Sequence, residues 1–260
     1  MREIVLKLKE TPRLCLDVEN ITPENLVGKK LEEIENLEIY HGNRKVKLAE
    51  FFDISGEVGE KSEELRIIFE GELGRVKRIG YSLSSGEISV KGNAGMYLGA
   101  FMRNGRIIVE GNVDSFAGLN MRGGSLTIRG NCGDYLGASY RGEWRGMSGG
   151  EILVEGDVGK ELGAYMRNGK VIVKGRADDF AGACMRGGVI VVEKASPRVG
   201  ASMRGGYIIA GQVEELLPGF FYEGEEENPE INGEIFKGRY KIYSGDHAER
   251  KAKGRLLVRI

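Results

Sequence analysis

Residues 92–110 read GNAGMYLGAFMRNGRIIVE and residues 111–129 read GNVDSFAGLNMRGGSLTIR, one unit of 19 residues written twice. The unit returns as GNCGDYLGASYRG from Gly130, with its strand delayed to GGEILVE, then as GDVGKELGAYMRNGKVIVK, GRADDFAGACMRGGVIVVE and a shortened KASPRVGASMRGGYIIA. A fixed period near 20 residues is the mark of a solenoid, in which each repeat buries its apolar face against its neighbours. The last five residues of each unit carry two apolar columns. One runs Ile67, Ile88, Ile107, Leu126, Ile152, Val171, Ile190, Ile208, and the other Phe69, Val90, Val109, Ile128, Val154, Val173, Val192, Ala210. Positions two apart on a strand share a face, so both columns point into one core.

The last position of the same stretch reads Glu70, Lys91, Glu110, Arg129, Glu155, Lys174, Glu193, alternating in sign at every step. Parallel in-register strands place equivalent residues about 4.8 Å apart, where opposite charges attract and like charges repel. A parallel stack with an outer ion-pair ladder is the expectation. The sequence holds 41 glycines in 260 residues, and they fall in columns too. Gly99, Gly118, Gly137, Gly163, Gly182 and Gly200 form one, and Gly105, Gly124, Gly150, Gly169, Gly188 and Gly206 another. A coil closed in 19 residues needs positions of positive φ, which glycine adopts without penalty. The expected fold is all-β, a right-handed parallel β-helix over 65–210. Residues 1–64 read as a small β-rich entry piece, with a strand in REIVLKL, a helix start at Thr22-Pro23 and a turn at His41-Gly42-Asn43. Residues 211–260 read as a C-terminal cap.

Charge narrows the function classes. The 38 basic and 39 acidic residues leave a net charge of −1, so no broad positive field attracts nucleic acid. No stretch approaches the length of an apolar membrane span, and a cytoplasmic location is expected. Cys15, Cys132 and Cys184 lie far apart with no CxxC pair, and read as reduced, mostly buried thiols. The only histidines, His41 and His247, sit in opposite flanks, which leaves a nucleophilic triad without parts. GxxxxGK[ST] is absent, and glycine at six equivalent positions answers to geometry and not to a phosphate loop. No catalytic, cofactor-binding or metal-binding residue is expected in this chain.

Two further columns remain. Met102, Met121, Met166, Met185 and Met203, with Tyr140 in the remaining unit, read as adaptable core filling. Arg103, Arg122, Arg141, Arg167, Arg186 and Arg204 form an unbroken basic column that needs something to offset its self-repulsion. Either each guanidinium bonds the carbonyls of a tight turn, with Asp114, Asp134, Asp178 and Asp179 as local counter-charges, or the column is a stripe for an anion or an acidic partner. One unit also carries seven extra residues, within GEWRGMSG, holding the only tryptophan, Trp144, beside Arg145 and Met147. These are residue types enriched at interface cores. The loop is a candidate partner anchor, with a local plug as the alternative.

The G-x-x-G-x-x-x-G units, with their MRNG and MRGG turns, resemble the GXGXG repeat of two families: the C-terminal domain of the glutamate synthase large subunit and the C subunit of formylmethanofuran dehydrogenase. The tail GRYKIYSGDHAERKAKGRLLVRI is similar to the second. That resemblance implies a non-catalytic scaffold within an archaeal complex of methanogenesis, which interconverts carbon dioxide plus methanofuran with formylmethanofuran. It implies molybdopterin-type and amidohydrolase-type partner subunits that hold a tungsten- or molybdenum-pterin, iron–sulfur clusters and zinc. A structural subunit of a formyltransferase/hydrolase or glutamate synthase complex stays open, as does an independent carbohydrate-active β-helix enzyme. The last would need converging carboxylates, and Asp114 and Asp178 stand three coils apart.

Overall fold

The computed structural model describes all of residues 1–260. The chain is nearly all-β, its helices being three segments of four or five residues and one 3₁₀ turn. Thirteen strands form one mixed sheet that does not close on itself. Three of them, Phe52–Gly56, Phe221–Glu227 and Arg239–Gly245, pair antiparallel at the ends. The other ten pair parallel, from Arg2–Leu8 through the repeat strands to Gly254–Arg259.

The register follows the two apolar columns. Ile67 pairs with Ile88, Ile88 with Ile107, Ile107 with Leu126, Leu126 with Ile152, and so on to Ile208. Every residue of both columns is buried. The ladder also extends beyond the repeats at both ends. Ile4 lies beside Ile67, and Leu256 beside Ile208, so the N-terminal strand is the first parallel rung and the C-terminal strand the last. The flanks lend rungs as well as covering the ends, which blunts the exposed sheet edges.

Each repeat meets the next at two more stations. Leu73, Ala94, Val113, Cys132, Val158 and Ala177 form a run of isolated parallel bridges. At the turn, the N–H of Gly118 donates to Leu98 O at 2.8 Å, that of Gly137 to Ala117 O at 2.9 Å and that of Gly163 to Leu136 O at 2.8 Å. Between stations the side chains of Asn93, Asn112 and Asn131 each accept the N–H of the equivalent residue one coil on, at 2.8 Å. This explains the recurrent Gly-Asn pair: the amide satisfies a backbone donor where the strand ends.

The outer charge ladder closes only in part. Lys91 meets Glu70 at 2.8 Å and Lys174 meets Glu155 at 3.2 Å. Glu110, Arg129 and Glu193 make no ion pair, because long side chains on an exposed face gain little from being held in one geometry. The denser ladder sits at the first strand position, where Arg66 lies between Glu3 at 2.9 Å and Glu87 at 2.6 Å. Glu155→Lys, which opens a formed pair, is expected to lower stability by up to about 1 kcal/mol at low salt. Glu110→Lys should cost clearly less, and both losses should shrink in about 0.5 M salt as surface charges are screened. Denaturant titrations at two salt concentrations check this. Equal, salt-insensitive losses would contradict the stacked register.

Candidate functional site

The irregular coil decides where the surface chemistry lies. Both Tyr140-Arg141 and Met147-Ser148 resemble the Met-Arg pair of the other units, and the structure selects the second. Met147 is fully buried in line with Met102, Met121, Met166, Met185 and Met203, while Tyr140 is 48% exposed. Ser148 donates its N–H to Met121 O at 2.8 Å, as Arg122 does to Met102 O and Arg167 to Met147 O. Two expectations are thereby corrected. Met147 belongs to the core and not to a partner anchor, and Arg141 lies outside the arginine column, which Ser148 interrupts.

The seven inserted residues are therefore Tyr140–Gly146. The coil closes beneath them: Ser139 donates its N–H to Ala164 O at 3.1 Å and Gly146 to Tyr165 O at 3.0 Å, adjacent residues of the next coil. Asn120 holds the loop from the preceding coil. Its Nδ2 donates to Glu143 Oε2 at 3.0 Å, and its Oδ1 accepts the Tyr140 N–H at 3.1 Å. Ser139 Oγ donates to Glu143 O at 3.0 Å. Trp144 stands on this fixed loop 61% exposed, with the Arg186 guanidinium 5.8 Å from its ring centre. A cleft of about 590 Å³ runs beside it, lined by Phe101, Arg122, Glu143, Arg145 and Arg167 among others.

The arginines are placed differently from either sequence reading of their neutralisation. None of Arg103, Arg122, Arg141, Arg145, Arg167 and Arg186 makes an ion pair, and none donates to a backbone carbonyl from its guanidinium. Arg204 alone in the column is paired, with Glu249 at 2.6 Å. The aspartates serve elsewhere. Asp114 accepts the Ser115 N–H at 2.7 Å, Asp134 the Lys160 N–H at 2.8 Å, and Asp179 pairs with Arg198.

An aromatic column stands beside the arginines. Tyr97, Phe116 and Tyr135 stack face to face on successive coils, with centroids 4.9 and 4.8 Å apart. Each has φ between 64° and 67°, a conformation bulky residues rarely adopt but one the turn imposes in every coil, since Glu161, Phe180 and Arg198 at the same position have φ of 57°, 66° and 65°. Arg141 covers this column, 5.9 Å from Phe116 and 5.4 Å from Tyr135. Sequence reasoning missed the column although its signal was present: the residue two before each turn glycine is Tyr97, Phe116, Tyr135, Glu161, Phe180 and Arg198.

Residues 75–217 match the GXGXG motif family. The whole chain aligns, at 57% identity and over 97% of the relative's length, with the C subunit of tungsten-containing formylmethanofuran dehydrogenase 2 from Methanothermobacter thermautotrophicus. The chain belongs to the C-subunit family of formylmethanofuran dehydrogenase. Another member, from Methanococcus maripaludis, is 47% identical over 100% of this chain and 97% of its own. Among solved structures, a chain of the formyltransferase/hydrolase complex from Methylorubrum extorquens, crystallised with methylofuran, superposes with a TM-score of 0.87. It is 31% identical, and the match covers 98% of this chain and 99% of that one.

In this chain the titratable groups are dispersed. No group of three or more His, Cys, Asp and Glu is placed to hold a metal ion. His41 Nε2 accepts the Leu14 N–H at 3.2 Å and packs its ring on Phe51. His247 stacks on Phe221 and lies 3.2 Å from Ser244 Oγ, while the neighbouring Asp246 accepts the N–H groups of Ser202 and Ala248. Neither histidine is oriented by a carboxylate. Cys132 is buried, and desolvation pushes its thiol far up, reinforced by Asp114. Cys15, expected among mostly buried thiols, is exposed because it lies at the surface of the entry piece. No helix is long and apolar enough to cross a membrane.

Proposed function

We propose that this chain is the non-catalytic scaffold subunit of a formylmethanofuran dehydrogenase, its coils winding right-handed as a parallel β-helix over 65–210 between an entry piece and a cap. The observation that carries the reading is end-to-end identity of 57% with the C subunit of a tungsten-type enzyme. In this reading the pterin-bound tungsten or molybdenum, the iron–sulfur clusters and the zinc belong to molybdopterin-type and amidohydrolase-type subunits. This chain contributes an extended surface on which they are held together. Ten parallel strands bonded coil to coil suit that task, since stacked repeats build one extended, continuous surface on which several partners can be held.

The structural likeness to a chain of a formyltransferase/hydrolase complex favours a second reading, a scaffold in an assembly of that kind. Purification of the affinity-tagged chain from its own cells, followed by native mass spectrometry, separates the two. The expected result is stoichiometric co-purification with a molybdopterin-type and an amidohydrolase-type subunit. The chain alone should show no formylmethanofuran oxidation. Recovery of a formyltransferase in place of the molybdopterin-type subunit would favour the second reading, and recovery of the chain alone would overturn both.

A further inference from the structure

We infer that the face built by the loop Tyr140–Gly146 and the flanking arginines docks a carboxylate-rich surface of another protein chain, with Trp144 as its buried anchor. The inference rests on the scaffold reading and adds the face and the chemistry of its partner. Charge distribution is the first ground. Over the whole chain acids and bases balance, at 39 and 38; away from this face unpaired arginines such as Arg106 and Arg129 lie among paired ones, Arg66, Arg78, Arg176, Arg198 and Arg239 all forming ion pairs. Arg204 shows that a column position can be neutralised within the chain. Yet Arg103, Arg122, Arg141, Arg145, Arg167 and Arg186 are left without a carboxylate, and Glu143, the one acid lining the cleft, is engaged by Asn120. Like charges on adjacent rungs repel by about 1 kcal/mol even in water. An acidic partner would turn that repulsion into attraction.

The loop supplies the second ground. The coil is closed at the two edges of the loop, by the bonds of Ser139 and Gly146 to Ala164 and Tyr165, so the exposed residues 141–145 between them are free of any duty in the core. They are nevertheless held in place by Asn120 and Ser139. An exposed indole on an ordered loop is presented with little conformational entropy left to lose on binding. It also stands where the arginine column is interrupted by Ser148, and Arg145 lines the same cleft as Arg122 and Arg167. Phe101 in the cleft and the half-exposed Tyr140 continue the apolar surface. Tryptophan, tyrosine and arginine are the residue types that concentrate binding energy at protein interfaces.

The test uses the full chain and the remaining subunits of its complex, purified separately and recombined. Two variants are compared with the wild type, Arg122→Glu/Arg167→Glu and Trp144→Ala. At about 50 mM salt the charge reversal should weaken assembly by about thirtyfold or more, a defect that contracts in about 0.5 M salt as the charges are screened. Trp144→Ala should weaken it by about tenfold with little salt dependence. The isolated double variant should melt no lower than the wild type, because it relieves repulsion within the column. A wild-type chain that fails to bind the other subunits overturns the scaffold reading itself. If the wild type assembles and both variants assemble equally well, the inference alone is overturned. It is likewise overturned if the two variants abolish self-association or retention on single-stranded RNA while leaving assembly intact, since the occupant would then be a second copy or a nucleic acid.

Discussion

Gly124→Ala is expected to destabilise the chain by about 3 kcal/mol, against about 1 kcal/mol for Gly142→Ala. The two glycines have nearly the same φ, +82° and +83°, so the strain of forcing a side chain onto positive φ is common to both. Their surroundings differ. A Cβ on Gly142, in the inserted loop, meets no heavy atom within 4 Å. A Cβ on Gly124 would lie 2.6 Å from Met102 Cε, 2.7 Å from Gly105 O and 2.8 Å from the Asn104 carbonyl carbon. The methionine tip can swing aside, but the other two atoms are backbone of the preceding rung and are held by the ladder. Relief would require spreading two coils that are bonded at several stations. The difference between the variants, read by chemical denaturation, isolates the closeness of coil stacking. Equal losses would mean that the rungs are not in contact at this column.

Met147→Ala and Trp144→Ala, only three residues apart, are expected to act in opposite ways. Met147 is fully buried, and its side chain packs toward Gly137 and Gly169, where an added Cβ would meet Sδ at 3.5 Å and Cε at 2.8 Å. Truncation leaves a cavity between coils whose backbones cannot collapse into it, at a cost of about 2–5 kcal/mol. Trp144 is mostly solvated, and its removal from the isolated chain should change stability by less than about 0.5 kcal/mol. Thermal melts of the two variants check both values. A large loss with Trp144→Ala and a small one with Met147→Ala would restore the reading of the indole as a local plug and reverse the register of this coil.

That register shows where sequence reading reached its limit. Tyr140-Arg141-Gly142 and Met147-Ser148-Gly149 both continue the Met-Arg-Gly pattern in part, and the first keeps the arginine column unbroken. Burial decides otherwise. A tyrosine at the core position would take its hydroxyl into a space lined by aliphatic groups and methionine, without a hydrogen-bond partner. Methionine fills the same space without that cost. The arginines illustrate a second limit. Their column was visible, but whether carbonyls or aspartates would neutralise them depended on local turn geometry, in which Asp114 and Asp134 turn to backbone N–H groups.

The stack itself was legible from the residues alone: its period, its parallel register, both inward columns and the glycine positions at the turns. It was legible because the repeat makes spatial neighbours of residues one period apart, so that proximity in three dimensions is written as recurrence in one. Whatever lacks that periodicity was settled only by the folded chain. Folding placed the strands Arg2–Leu8 and Gly254–Arg259 as the first and last parallel rungs, and set the seven-residue loop over the column with Trp144 outward and Met147 inward. These choices rest on competition between burial, hydrogen-bond satisfaction and available edge, terms that are settled only when the whole coil is closed.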